Sequence, residues 1–136
     1  MKTIHKVAAI VIKDNSFLMV RKVGKNTWTN LGGHIEEGET EEQALKREIL
    51  EELNCDSNII RKLDDFKAKA AHDDAMLTLS TYLVELMGDP VINDPELEEF
   101  KYIPREYREQ GYKMPESIEK HVVPYLIENK LLLSKY

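Results

Sequence analysis

The sequence predicts an α/β fold, a sandwich of helices around a mixed β-sheet. Three observations predict it. Runs rich in β-branched residues pair off around short turns, a capped helix stands in the middle of the chain, and a second helix comes late. With 136 residues the chain reads as one domain, 1–136, with room for a single core.

The elements follow in order. His5 to Ile12 reads as a buried strand, Asp14-Asn15 as a turn, and Ser16 to Lys22 as the returning strand of a hairpin. Val23 to Thr27 is a polar loop. Trp28 to Leu31 is a short strand that Gly32-Gly33 breaks. A helix spans about 41–53. Residues 58–70 and 75–86 favour strand, with His72-Asp73-Asp74 as the turn between them. Met87 to Pro95 is a loop, and Phe100 to Ile103 a short strand. A last helix runs over about 115–129, with Val122, Val123, Leu126 and Ile127 on its apolar side and Pro124 able to distort it.

Composition excludes several classes. Hydrophobic residues make up 42% and charged residues 32%, a globular balance. No apolar run approaches the roughly 20 residues of a membrane span. The N-terminus lacks the apolar centre of a signal peptide. Cys55 is the only cysteine, so no internal disulfide or four-cysteine zinc site forms, and it reads as a structural thiol. The expectation is a cytoplasmic protein with no membrane contact, a monomer or homodimer. A net charge of −6 argues against nucleic acid as a partner.

That charge is concentrated. Residues 36–52 carry eight glutamates against Lys46 and Arg47, and the rest of the chain sums to zero. Thr40 with Gln43 fits a capping box, and Glu41 and Glu42 suit the first helical turn. Asn54 tolerates the left-handed conformation that ends a helix. Glu51 and Glu52 have no such excuse, because the last turn favours cations. With Glu48 they share about 100° of arc, and like charges so spaced repel. Taking Leu45 as zero, the core stripe runs through Ile49 to Leu53 at about +80°, while Glu52 falls near −20° and Glu48 near −60°. Two carboxylates therefore lie beside the apolar stripe, not opposite it. A cation removes the conflict, and clustered carboxylates are hard ligands suited to Mg²⁺ or Mn²⁺. Gly32-Gly33 ahead of the helix lets the backbone approach a ligand closely. Together these features describe a divalent-metal site for a phosphate-rich substrate.

The run from Gly33 through Glu39, Arg47, Glu48, Ile49, Glu51 and Glu52 to Cys55 resembles the Nudix box, G-x5-E-x7-R-E-U-x-E-E-x-G-U, where U is bulky and apolar. It covers 23 of the 136 residues. Asn54 stands where the family has glycine, and Leu31 where proline often precedes the glycine pair. The resemblance implies a Nudix-type α/β/α sandwich and hydrolysis of a nucleoside diphosphate linked to another group, with a small-molecule nucleotide as substrate. It implies Mg²⁺ (or Mn²⁺) held by Glu48 and Glu52, with Glu51 completing the cluster and the Gly32 carbonyl as a further ligand. Arg47 would orient the carboxylates and Glu39 would tie the loop to the helix. Glu48, Glu51 or a carboxylate from another loop would be the general base.

Outside the box, Arg21 and Lys22 are candidates for phosphate contact. Trp28 is either a core aromatic or a wall for a base or sugar. Glu96 is a further candidate metal ligand from its loop. The tyrosine expected in dinucleoside-polyphosphate hydrolases is missing at Ala71-His72-Asp73, and so is the proline of many ADP-ribose hydrolases. A nucleoside triphosphate pyrophosphohydrolase fits best. The alternatives are an ADP-sugar or other nucleotide-derivative hydrolase and a non-catalytic Nudix-fold nucleotide-binding regulatory domain.

Overall fold

The computed structural model describes residues 2–70 and 74–134. The strands are β1 (Lys2–Ile10), β2 (Ile12–Lys13), β3 (Ser16–Lys22), β4 (Trp28–His34), β5 (Asp56–Lys69), β6 (Ala75–Met87) and β7 (Leu97–Pro104). Helix α1 is Glu41–Leu53; a π-wound turn, Ser117–Val122, leads into α2, Val123–Glu128. Sheet order is β2-β3-β4-β1-β6-β5, with β7 on β3. The β1–β6 pair is parallel and its neighbours are antiparallel, so the sheet is mixed. Among the described residues no helix is long and apolar enough to cross a membrane.

Alternation along the strands sends apolar residues to both faces. Val7, Ala9, Leu18, Val20 and Leu31 pack against Leu45, Ile49 and Leu53 of α1. Ala8, Ile10, Phe17, Met19 and Trp28 pack against Ile118, Val122 and Leu126 on the other side. That is the α/β/α layering the element pattern predicts.

Three boundaries differ from the sequence reading. The first strand begins at Lys2 and is interrupted at Val11, where the chain passes from β1's neighbours to the β2–β3 hairpin. Gly32-Gly33 does not break β4: the strand continues to His34 because β1 takes it as a partner, Ala8 opposite Gly32 and Val7 opposite Gly33. The late helix opens as a π turn, with Val123 N–H reaching back to Ile118 O. Pro124 follows at once; it has no N–H and its ring crowds the carbonyl four residues back, and the wider winding accommodates it. The expected turn residues His72 and Asp73 lie outside the described residues.

Helix α1 has the ends its sequence predicts. Gln43 N–H donates to Thr40 Oγ1 at 3.1 Å, and Thr40 N–H donates to Gln43 Oε1 at 3.0 Å. Asn54 sits at φ 49°, ψ 41°, the left-handed cap, with its N–H on Leu50 O. Asn54→Val should therefore lose about 1 kcal/mol or more, since a β-branched residue resists positive φ. Asn54→Gly should stay within a few tenths of wild type. Urea midpoints of the two variants check this; a valine variant as stable as the parent would refute it.

Candidate active site

The site forms where β4 changes partners. Its ladder with β3 ends at Met19 opposite Asn30, and its ladder with β1 starts at Leu31. From there β4 has an open edge, and α1 packs beneath it. Gly32 N–H donates to Glu52 Oε1 at 2.9 Å. Gly32 has φ +139°, and a Cβ there would lie 2.1 Å from Val7 O. A Cβ on Gly33 would lie 2.7 Å from the Glu48 carboxylate. The glycine pair thus lets the strand sit directly on the α1 acids.

Arg47 organises these acids. Its Nε and Nη2 donate to Glu39 Oε2 and Oε1 at 2.7 and 2.9 Å, a bidentate pair. Nη1 donates to Glu48 Oε1 at 3.1 Å and reaches Glu51 Oε2 at 3.3 Å. Nη2 also donates to His34 O. Glu39 Oε1 accepts Glu36 N–H at 2.8 Å, so the loop before α1 is tied to the helix. The Glu39 hydrogen bond holds the Arg47 guanidinium above its ordinary range, and Arg47 holds Glu39 below its own.

Glu52 is 6% exposed. Burial pushes its carboxyl up to about 8, against the Gly32 N–H; Glu48 and Asp94 add like charge. Glu48 is also raised, chiefly by burial. Glu51 is exposed at the rim. Loop 88–96 closes the end of α1: Val91 N–H donates to Leu53 O and Asn93 N–H to Glu52 O, each at 2.9 Å. Carbonyls that would face water are thereby satisfied.

A group of cations lies close enough to act on the acids, Lys6 on Glu48 and Lys22 on Glu52. Lys6 stands opposite His34 across β1 and β4. Both are shifted down, first by desolvation; Lys22 adds to each, and Lys2 and Lys6 to His34. The sequence reading missed Lys6, His34 and Asp94. Alternation on β1 and β4 could have flagged Lys6, a lysine within an apolar strand.

The other candidates lie as follows. Lys22 is exposed at the end of β3, beyond a register shift against β7. Arg21 donates to Glu99 Oε1 from Nε and Nη2 at 3.1 and 3.0 Å and to Lys25 O, so its guanidinium is already engaged. Trp28 is 6% exposed and packs edge-on against Tyr112 with ring centroids 5.7 Å apart. Glu96 is exposed; its N–H donates to Asp94 Oδ1, and it is Asp94 whose charge reaches Glu52. Cys55 is buried, and burial raises its thiol.

The donor set suits a hard divalent cation. Two carboxylates are desolvated side by side, and among the described residues only Glu48 has an ion-pair partner, Arg47, while Lys22 acts on Glu52 from farther off. Among the described residues no three acidic, histidine or cysteine side chains enclose an ion as they lie. Arg47 and the Gly32 N–H occupy their oxygens instead.

A match to the NUDIX domain runs over residues 3–120. The chain belongs to the Nudix family. Members of this family are hydrolases that act on small nucleotide substrates and generally use a divalent metal. An 8-oxo-dGTP diphosphatase of Proteus vulgaris is 36% identical over 90 residues, 61% of this chain and 77% of that protein. A CTP pyrophosphohydrolase of Escherichia coli K12 is 35% identical over 63 residues, 43% of this chain and 47% of that protein. The chain spans under half the length of some curated relatives that it matches, 18% and 47% in two of them. The MutT protein of Methanosarcina mazei Go1 superposes with a TM-score of 0.78 at 17% identity, covering 95% of this chain and 96% of that one, which is a likeness of fold.

Proposed function

We propose that the chain hydrolyses nucleoside triphosphates to a nucleoside monophosphate and pyrophosphate, with Mg²⁺ (or Mn²⁺) as cofactor. The observation that carries this reading is the pairing of opposite fields at one strand edge. Glu48, Glu51 and Glu52 gather there, the charges of Lys6 and Lys22 reach Glu48 and Glu52, and His34 stands beside Lys6. A polyphosphate with its cation matches both.

Glu48 and Glu52, with Glu51 and the Gly32 carbonyl, would hold the metal. When bound, the cation supplies the charge neutralisation that phosphoanhydride cleavage requires. Arg47 positions Glu48 and Glu51, and Glu39 anchors Arg47 through its bidentate pair. Lys6, Lys22 and His34 orient the phosphate oxygens. Water adds to phosphorus as the anhydride P–O bond breaks, and a carboxylate oxygen of Glu48 or Glu51 takes its proton. Arg21, bonded to Glu99, and Trp28, packed on Tyr112, are the further candidates for substrate contact. Glu96 supports the loop that brings Asp94 near. The same reading treats residues 1–136 as one catalytic unit, cytoplasmic, acting as a monomer or homodimer.

The test is a screen of nucleoside triphosphates, nucleotide sugars and dinucleoside polyphosphates with and without Mg²⁺, reading phosphate and pyrophosphate. Pyrophosphate release from triphosphates, abolished by a chelator, is expected. Cleavage of nucleotide sugars alone would replace the triphosphate assignment with the nucleotide-derivative one. No cleavage of any substrate would favour a binding role.

A further inference from the structure

The sheet divides at Val11. Strand β1 runs parallel to β6 as far as Ile10 opposite Leu83, and there the chain turns off into the β2–β3 hairpin. β6 continues to Met87 with β5 on one side, from Val84 opposite Ile59 to Met87 opposite Asp56. Among the described residues no strand lies on its other side beyond Leu83. β2 pairs with β3 and likewise has no strand on its outer side. The two edges diverge, and a cavity of about 390 Å³ lies between them. Val11, Ile12 and Lys13 line it from one strand, and Val84, Glu85 and Leu86 from the other. Tyr102, packed with the α1-side core, and Leu131, packed with the α2-side core, also line it, so the gap is bordered from both faces of the sheet.

Alternate residues of an edge strand turn their N–H and C=O groups outward, so the 84–87 edge presents donors and acceptors in a row. A compact apolar molecule would leave them unmet, whereas an extended backbone meets them all. Alternation also sets the side chains that such a backbone needs. Val84 and Leu86 are on the α1 face, with Val11 and Tyr102. Glu85 falls on the opposite face and is exposed. Neighbouring strands share faces, so the occupant needs apolar residues beside Val84 and Leu86 and, between them, a cation beside Glu85. Asp89 adds a second acid to the lining. Lys13, the cation of the lining, stands with its ammonium over the Tyr102 ring, 5.6 Å from the centroid. The gap closes into the β1–β6 ladder at Ile10 and Leu83, so it suits a single strand rather than the edge of a second folded copy.

We propose that this gap is the docking site for one extended peptide segment of the pattern apolar–basic–apolar, added to β6 as a strand beside residues 84–87. The segment takes up the edge of β6 where β1 leaves it. Its apolar side chains pack on Val84, Leu86 and Tyr102, and its cation pairs with Glu85. Main-chain hydrogen bonds supply the affinity, and the alternating side chains supply the choice of partner. The gap shares no residue with the α1 acids or with Gly32, so the inference stands apart from the reaction proposed above.

Fluorescence anisotropy of the full chain with a labelled peptide, Thr-Val-Lys-Val-Thr, tests this. Saturable binding with a Kd below about 1 mM is expected. Glutamate in place of the peptide's lysine should weaken binding about 3-fold or more at low salt, because it puts like charge opposite Glu85. N-methylation of both peptide valines should abolish binding, since a methylated amide donates no hydrogen bond. Glu85→Lys, at an exposed position, should keep the parental Tm and prefer the glutamate peptide. Amide hydrogen exchange within 84–87 should slow when the lysine peptide saturates the chain. Absence of saturable binding, equal binding of the two peptides, or a lysine preference that survives Glu85→Lys overturns the proposal. So does full binding of the N-methylated peptide, or protection that appears elsewhere. A dimer in sedimentation whose 84–87 amides are protected without peptide would give the edge to a second copy and overturn it as well.

Discussion

Glu52→Gln should lower kcat/KM by at least about 10²-fold while the chain stays folded. The amide keeps the size of the side chain, and its oxygen can still accept the Gly32 N–H that Glu52 accepts at 2.9 Å. What is lost is a charge placed where the cation would sit. Near-normal turnover with Mg²⁺ would remove Glu52 from the site. The same variant has a second signature. Burial holds the Glu52 carboxyl at about 8 in the folded chain, against an ordinary value of 4.5. The folded state therefore binds that proton more tightly than the unfolded one. Its contribution to stability is full below about pH 4.5 and is lost as pH rises through about 8, by at most about 1.4 kcal/mol for each pH step of one between those values. In chelator, the wild-type Tm should fall across this window and the Glu52→Gln Tm should fall less. Glu48, raised by the same burial, leaves a smaller slope of the same sign. A flat wild-type profile would show that Glu52 is not desolvated. Metal added at pH 8 should restore the wild type and leave the variant little changed.

Gly32→Ala and Gly33→Ala should separate stability from activity, although the two residues are adjacent. At Gly32 the backbone has φ +139° and the new methyl would sit 2.1 Å from Val7 O, a backbone atom in the middle of the β1–β4 ladder. Neither the strained dihedral nor the clash can relax without breaking the sheet, so a loss of about 3 kcal/mol or more is expected. At Gly33 the φ is ordinary for any residue, and the methyl meets only the flexible end of Glu48 at 2.7 Å. The chain should fold with a Tm close to the parent, while the displaced carboxylate costs about 10-fold or more in kcat/KM. Thermal melts and turnover measured on the same preparations decide it. A Gly32→Ala protein of parental stability would mean that β4 is paired differently. A fully active Gly33→Ala would mean that the observed position of Glu48 is not the one used.

Much of α1 was legible because its signals are local. The capping residues are three apart, Asn54 adjoins the last turn, and the angle between Glu52 and the apolar stripe follows from helical pitch alone. The sharing of Glu48, Glu51 and Glu39 by Arg47 also falls within 13 residues of chain. Glu41 marks where this stops. Its sequence position accounts for it as a first-turn acid, yet its carboxylate accepts from Tyr82 Oη at 2.7 Å, Ser80 Oγ at 3.1 Å and Lys62 Nζ at 3.2 Å, and it meets His5 at 3.1 Å. That Arg21 is bonded to Glu99, 78 residues on, shows only in the fold. That Tyr112 lies edge-on to the Trp28 ring shows only there as well.

By itself, then, the sequence determined the fold class, the acidic helix with both its ends, and the set of carboxylates suited to a cation. Each depends on short-range periodicity or on the conformational preference of single residues, and those are properties of neighbours in the chain. Only the tertiary structure decided that β4 runs on through Gly32-Gly33, that it exchanges β3 for β1 between Asn30 and Leu31, and that Lys6 faces His34. Strand partners and register are chosen by the burial of whole faces across distant segments, and two strands with the same alternation can pair in many ways. The open edge that brings Gly32 onto Glu52 is a product of that choice, so it leaves no mark in the spacing of the residues that form it.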